Sequence, residues 1–171
     1  MDKATLSQTW DDVRQRYGVY LRVLDLIPEE RLHERLVPGM RTPAELAVHV
    51  SGTIIRAIAL GMTSGEVVAD EDGENRLAAE LESKEDLLAY AQECWEEADA
   101  AIAGLGDAEL EAMVKTPWGF SFPGAMGAQL LREELLHHRG QLYVYARLCS
   151  MAPPYNWSFD ENAPEFRPAA S

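Results

Sequence analysis

Three side chains with metal-ligating chemistry stand out in the sequence: His49, Glu134 and His138. Glu134 and His138 are four residues apart, so on a helix they share one face with Cβ atoms ~5–6 Å apart. His49 lies in a separate apolar segment, beside Leu46 and Val50. Two imidazoles and one carboxylate form a ligand set that binds a divalent cation and leaves positions open for water or substrate.

Two simpler interpretations of these residues stay open from the sequence alone. Glu134 and His138 by themselves would form an ordinary pair across one helical turn at a solvent-facing edge. His49 by itself would be a core histidine bonded to a backbone carbonyl. Cys149 is excluded as a further ligand because it lies ~16 Å beyond His138 along a helix axis. His33 lies among charged residues and is expected at the surface.

The composition is that of one compact domain spanning residues 1–171, since 47% of the residues are hydrophobic. The opening "MDKATLSQTW" has no apolar signal core, and no uninterrupted apolar run approaches the ~20 residues of a membrane-spanning helix. We therefore expect a soluble, cytoplasmic protein. The net charge of −14 argues against nucleic acid and anionic membranes as partners. Two cysteines are too few for a disulfide framework, and both are expected to be buried free thiols.

Four amphipathic helices must position the candidate ligands. The first has its apolar positions three and four residues apart; they are Leu6, Trp10, Val13, Tyr17, Tyr20, Leu24 and Ile27. Pro28 ends this helix and begins a predicted short helix, "PEERLHERL". The second helix begins with a capping box of Thr42 and Glu45 and is expected to run to about Leu60, where Gly61 ends it.

The third and fourth helices follow a long acidic segment. Residues 61–83 have no clear period and are predicted to be a solvated acidic loop. Ser83 and Asp86 cap the third helix, whose expected inward positions are Leu87, Ala91, Cys94, Trp95, Ala98 and Ile102. "MVKTPWGFSFPG" then predicts a short hairpin or an extended lid. The fourth helix covers roughly 125–150, and a Pro-rich tail begins at about 152.

These patterns predict an all-α four-helix bundle. The connection between the second and third helices is about 23 residues long, which is unusual within a compact domain unless it crosses the length of the bundle. Such a crossover makes the second and third helices parallel. The predicted arrangement is therefore up-down-down-up.

Several motifs resemble those of the DinB family of metal-binding four-helix bundles. They are "PGMRT" at the entry to the second helix, the histidine of that helix, "HRGQL" in the fourth helix and the proline pair that follows. The resemblance implies the up-down-down-up bundle, a homodimer, and a zinc or nickel ion bound by three histidines. Carried over, it assigns His49 and His138 as ligands and places Glu134 where the family most often has a histidine.

The carboxylate has consequences if a metal is bound. It lowers the net charge of the centre to about +1, weakens its Lewis acidity and shifts its preference toward manganese or iron. Arg139 and Gln141 belong to the same motif and are expected to support the ligands or to contact a neighbouring helix.

The resemblance implies three possible functions. The first is a metal-dependent enzyme that transfers a low-molecular-weight thiol to an electrophile, as characterised members do. The second is a non-catalytic, stress-related protein that binds metal or a small ligand, and the third is a metal-free bundle acting through its dimer surface.

Aromatic residues expected to wall a pocket, or else to pack in the core or the tail, are Trp118, Phe120, Tyr155 and Trp157. The expected dimer uses the first and fourth helices, where positions off the core stripe include Val19, Val23, Tyr143, Ala146 and Arg147.

Overall fold

The computed structural model describes residues 2–168. Its elements in chain order are α1 (Lys3–Leu26), α2 (Pro43–Ser64), α3 (Glu71–Glu80), α4 (Lys84–Ala103), α5 (Asp107–Glu111), β1 (Met113–Lys115), β2 (Ser121–Pro123) and α6 (Gly124–Leu148). Three short 3₁₀ turns occur at Glu29–Arg31, Phe159–Glu161 and Pro164–Phe166.

Helices α1, α2, α4 and α6 form the predicted four-helix bundle. Gly52 packs against Tyr90, and Arg56 pairs with Glu97. Increasing residue numbers on α2 therefore meet increasing numbers on α4, so these two helices are parallel, and the crossover between them confirms the up-down-down-up arrangement. One hydrophobic core cluster includes residues of all four helices.

Local sequence signals set the helix starts and the buried faces. The capping boxes of Thr42 with Glu45 and of Ser83 with Asp86 are both present. All six positions predicted to face inward on the third helix are buried in α4. On α6 the buried positions include Leu131, Leu135, His138, Leu142 and Tyr145. The spacing of apolar residues was sufficient to predict the buried faces of α4 and α6 because each of these two helices buries one continuous stripe.

Helix α2 ends later than predicted, at Ser64 rather than near Leu60. Gly65 ends it with a left-handed backbone (φ +83°), a conformation that glycine adopts without a steric cost. Gly61 is helical, and its missing side chain admits the following segment, since a Cβ there would lie 2.7 Å from Cγ2 of Val67.

The middle of α2, His49–Ala57, is a π-helix. In this form residue i bonds to residue i+5, so positions five apart lie nearly above one another. His49 and Ile54 consequently face the same cavity. Extended π segments are rare and occur frequently at functional sites.

Two predictions for the connecting segments are wrong. The acidic stretch 61–83 is not only a loop, because it contains α3, which buries Ala78 and packs Leu77 on the core. Acidic residues in the first turn favour this helix without giving it an apolar stripe. The short helix predicted after Pro28 is only the 3₁₀ turn Glu29–Arg31.

The segment after α5 forms the predicted hairpin, with Val114 of β1 opposite Phe122 of β2 in antiparallel register. The C-terminal tail packs on α1, burying Asn162 and Phe166. Gly18 makes this possible, since a Cβ there would lie 2.5 Å from Cβ of Phe166.

The prediction that certain apolar residues form a dimer surface is wrong for three of them. Val19, Val23 and Ala146 are fully buried within the single chain. The cause is the close packing of α1 on α6 and on the tail turns. Tyr143 is half-buried and Arg147 is exposed.

By length and composition, α2 is apolar enough to cross a membrane, but 72% of its most apolar window is buried inside the structure. It is thus placed as the core helix of a soluble domain.

Candidate metal centre

Helices α2 and α6 bring the two predicted histidine ligands together. The rings of His49 and His138 meet edge to face, with their centroids 4.9 Å apart. Glu134 lies one turn before His138, and its Oε2 is 3.6 Å from His138 Nε2. The three residues chosen from the sequence therefore lie in one cluster. His33 is exposed, as expected, with Nε2 3.3 Å from the carbonyl oxygen of Glu82.

A fourth residue, Glu74 of α3, completes this cluster. Its Oε2 is 3.1 Å from Nδ1 of His49, and its side chain is only 11% exposed. An ionised carboxylate can only accept a hydrogen bond, so in the neutral form of His49 the proton lies on Nδ1 and Nε2 is the acceptor. Sequence analysis missed Glu74, because it lies in an acidic run that resembles solvated surface.

His138 has a similar partner within its own helix. Its Nδ1 is 3.2 Å from Oε1 of Gln141, whose Nε2 lies 3.1 Å from Nε2 of His137. If Gln141 accepts from His138 and donates to His137, Nε2 of His138 is left free beside Glu134. Burial is the main cause that lowers the pKa of His138 to about 4, so its ring is neutral at physiological pH. A neutral imidazole is the form that binds a metal.

The arrangement fits a divalent metal in residue type and in the groups behind the ligands. Histidine ligands characteristically donate their other ring N–H to a carboxylate or carbonyl, and Glu74 and Gln141 place such an oxygen beside Nδ1 of both histidines. Two ligand atoms bound tetrahedrally to one zinc ion lie roughly 3.4 Å apart, close to the 3.6 Å between His138 and Glu134. Within residues 2–168, however, no three His, Cys, Asp or Glu side chains converge as a ready metal cluster. The Glu134 side chain, 41% exposed, would have to turn toward the two rings.

A cavity of about 240 Å³ opens beside this cluster. Its lining residues are His49, Ile54, Ile58, Trp118, Phe120, Leu130 and Glu134. Trp118 and Phe120 of the hairpin thus wall the pocket, one of the two roles considered for them. Tyr155 and Trp157 do not line it: Tyr155 is 72% exposed, and Trp157 lies under the Arg16 guanidinium, 5.0 Å from its ring centre.

Two further cavities adjoin the cluster through Glu74 and contain none of the three candidate ligands. The larger, about 360 Å³, lies between α2, α3 and α4 and includes Arg56 and Tyr90. The other, about 280 Å³, is polar and includes Arg35 and Arg41. We place the chemistry in the smaller apolar cavity because it alone among the three is lined by His49 and Glu134.

The two cysteines and Arg139 have surroundings that suit packing rather than chemistry. Cys94 is fully buried, and burial raises the pKa of its thiol to about 11. Burial likewise raises the pKa of Cys149, which is partly exposed. Arg139 is buried, with its guanidinium 5.9 Å from the ring of Tyr143 and close to α1, so it is a helix–helix contact.

Fold and site together define an up-down-down-up four-helix bundle with a His-Glu-His cluster between its second and fourth helices. Residues 6–142 match the DinB superfamily, and the chain belongs to that superfamily. No curated protein matches the sequence.

Solved structures share the fold. The DinB-like protein YjoA from Bacillus subtilis is 19% identical, with a TM-score of 0.69 over 87% of this chain and 96% of its own. A mycothiol-dependent maleylpyruvate isomerase is 16% identical, with a TM-score of 0.62 over 97% of this chain and 68% of its own. A histidine-to-alanine mutant of that isomerase gives 15% and 0.63 over the same shares.

Proposed function

We propose that this protein is a divalent-metal-dependent enzyme that uses a low-molecular-weight thiol to attack an electrophile. The observation that carries the proposal is the orientation of the two histidines. Each has Nδ1 within hydrogen-bonding distance of a side-chain oxygen, Glu74 for His49 and Gln141 for His138. In a neutral ring whose Nδ1–H donates to such an oxygen, Nε2 is the unprotonated nitrogen, which is the arrangement typical of histidine metal ligands.

His49, Glu134 and His138 would hold the metal. When bound, the ion would supply Lewis acidity that favours the thiolate, which is the nucleophilic form of the thiol. Zinc or nickel is expected from the family, and the carboxylate of Glu134 also admits manganese or iron. Membership of the DinB superfamily, and a shared fold with a mycothiol-dependent enzyme, support the choice of a thiol.

The side chains of this protein prepare the site for that reaction. Burial keeps His138 neutral, Gln141 and Glu74 fix the two ring orientations, and the hairpin residues Trp118 and Phe120 wall the cavity against water. The thiol sulfur forms a bond to carbon of the electrophile. In a displacement the leaving group departs with the bonding electron pair, and in an addition the neighbouring carbon takes up a proton while the thiol proton goes to solvent.

The protein's own thiols are unsuited to this role. The thiolate is the nucleophilic form of cysteine, and burial raises the pKa of both Cys94 and Cys149. An external thiol is therefore required. Low-molecular-weight thiols are kept reduced in the cytoplasm, where we place the protein.

Metal analysis of protein purified without a histidine tag tests the first half of the proposal. We expect one divalent ion per chain, loss of that ion in His138→Ala, and retention in His33→Ala, which changes an exposed histidine outside the cluster. Equal metal content in the two variants contradicts the assignment. Assays with mycothiol, bacillithiol and glutathione then test the second half, and a metal-bound protein inactive with all thiols would instead be a binding protein.

A further inference from the structure

The walls of the 240 Å³ cavity are apolar, unlike the cluster of polar side chains beside it. Apart from His49 and Glu134, every residue that lines it is apolar, namely Ile54, Ile58, Trp118, Phe120 and Leu130. Two of these are aromatic and sit at the tip of the hairpin. An apolar cavity with a few polar groups at one end is the usual form of a small-molecule site.

The two aromatic rings are held in place while remaining accessible. Trp118 is 40% exposed and Phe120 is 47% exposed, with ring centroids 6.2 Å apart and planes inclined by 25°. Gly119 between them has φ +86°, and the backbone N–H and the hydroxyl of Thr116 both donate to the Phe120 carbonyl oxygen, at 3.1 and 2.7 Å. A fixed turn thus presents two flat faces, which favour stacking with a flat ligand.

Apart from His49, the described side chains that line the cavity offer no cationic partner to a negative charge. Among the described residues that line it, no lysine or arginine occurs, and Glu134 is the one acidic side chain. In the metal-free protein, a carboxylate placed there would lose hydration without gaining a lysine or arginine partner. Arg35 and Arg41 lie in the polar cavity on the other side of Glu74.

We infer that the side chains of this cavity bind an uncharged, flat aromatic or conjugated molecule in preference to the corresponding carboxylate when no metal is bound. The assignment of that molecule as the electrophile rests on the proposed function, whereas the binding preference does not. The specificity comes from stacking on Trp118 and Phe120, and from the absence of a lysine or arginine in the described lining.

The test uses cinnamamide and cinnamate, which share a shape and differ in charge, in calorimetric titrations of the full chain at neutral pH. The protein is first freed of metal, because a carboxylate could otherwise gain affinity by ligating the ion. We expect cinnamamide to bind at least roughly tenfold more tightly than cinnamate. Trp118→Leu should weaken cinnamamide binding several-fold, while Trp157→Leu, which changes an exposed aromatic outside the cavity, should not.

A gain-of-charge variant makes the test independent of the hairpin. Leu130 is partly buried at the cavity wall, so Leu130→Arg places a cation there with less disruption than a change at a fully buried position. It should raise the affinity for cinnamate relative to cinnamamide by roughly tenfold. Wild-type protein that binds neither compound, or binds cinnamate as well as cinnamamide, overturns the inference. So does equal loss of binding in Trp118→Leu and Trp157→Leu.

The two proposals can fail separately. Normal cinnamamide binding without metal or thiol turnover refutes the proposed function and leaves this inference standing. Thiol turnover of carboxylate substrates, together with absent cinnamamide binding, refutes the inference and leaves the proposed function standing.

Discussion

The Glu74 carboxylate lies 3.1 Å from Nδ1 of His49, although the two residues belong to different helices and are 25 positions apart. Helix α3 thus supplies a hydrogen-bond acceptor to a residue of α2. The Glu74 side chain is 11% exposed and that of His49 12%, so water screens the pair poorly.

Glu74→Gln should weaken metal binding by roughly 10- to 100-fold, the usual effect of changing a partner behind a histidine ligand. The amide keeps the shape and can still accept a hydrogen bond, but it lacks the charge that raises the basicity of the imidazole. Calorimetric titration with zinc measures the change. Glu80→Gln, on the exposed end of the same helix, is the control and should bind like wild type. Identical affinity in both variants would show that Glu74 does not support the ligand.

Glu74 also shows where sequence reasoning fails. The approach of His49 to His138 was predictable because each lies on the inward stripe of a periodic helix, and Glu134 lies one turn before His138. Glu74 lies in a helix whose sequence, "EDGENRLAAE", has only Leu77 and Ala78 to pack inward. Its one local signal is its position three and four residues before Leu77 and Ala78, which puts it on their face once the segment is known to be a helix.

Docking of the tail on α1 depends on Gly18. A Cβ at this position would lie 2.5 Å from Cβ of Phe166 and 2.6 Å from Nδ2 of Asn162, both of which are buried. Gly18→Ala should therefore destabilise the protein by about 1–3 kcal/mol, as expected for overpacking. Urea unfolding followed by circular dichroism gives the value.

Gly140→Ala is the matched control, since a Cβ there meets nothing within 4 Å. In the interior of α6, alanine is favoured over glycine by up to about 1 kcal/mol. The two substitutions should thus change the free energy of unfolding in opposite directions. Stabilisation by both would mean that the tail does not pack on Gly18 in solution.

Asp12 should make stability depend on acid pH. Burial alone would raise the pKa of its carboxyl, but hydrogen bonds and charges from Arg16 and Arg132 lower it below 3.8. A carboxyl whose pKa is lower in the folded state stabilises the fold above its unfolded pKa, and this contribution is lost as the pH falls through the folded pKa.

The test compares Asp12→Asn with wild type in urea unfolding at pH 7 and at about pH 2.5, below the usual aspartate pKa. We expect a loss of no more than about 1 kcal/mol at pH 7, because the Asp12 side chain is 32% exposed. The difference should shrink at the acid pH. Asp160→Asn, at an exposed position, is expected to cost nothing at either pH. A deficit for Asp12→Asn that grows on acidification would contradict the mechanism.

The proposed homodimer needs a surface other than the one first predicted. Val144 and Leu148 lie one turn apart on α6, 49% and 50% exposed, with Met151 nearby in sequence. Val144 and Leu148 form an exposed apolar stripe that an isologous dimer would cover. We predict a dimer at micromolar concentration in sedimentation, and dissociation in Leu148→Asp. Val68→Asp, which changes an exposed valine outside this stripe, should leave the dimer intact, and a monomeric wild type rules the dimer out.

The buried faces of the helices show which parts of the fold were predictable. The inward positions of α4 and α6 repeat every three or four residues and were identified from sequence alone. Val19 and Val23 were placed outside because they fall beside the main stripe of α1. The structure buries them because α1 is covered by α6 and the tail as well as by the rest of the bundle. A helix covered on several sides has a buried surface wider than one stripe, and its width depends on distant segments.

Glu134 decides whether the cluster is a metal site, since its Oε2 is 3.6 Å from Nε2 of His138 and its side chain can either ligate or remain in solvent. If Glu134 is a ligand, Glu134→Gln should weaken binding strongly, because a neutral amide oxygen replaces a carboxylate poorly. Glu134→His should keep binding and shift the preference from manganese toward zinc or nickel, because imidazole is a softer ligand than carboxylate. If Glu134 only pairs with His138, the Gln variant should lose no more than about 0.5 kcal/mol of stability and keep its metal affinity.

Titration of both variants with zinc and manganese separates these outcomes, with Glu133→Gln, at an exposed neighbouring position, as the control. Wild-type affinity in Glu134→Gln would remove this residue from the ligand set and leave His49 and His138 as the two remaining protein ligands.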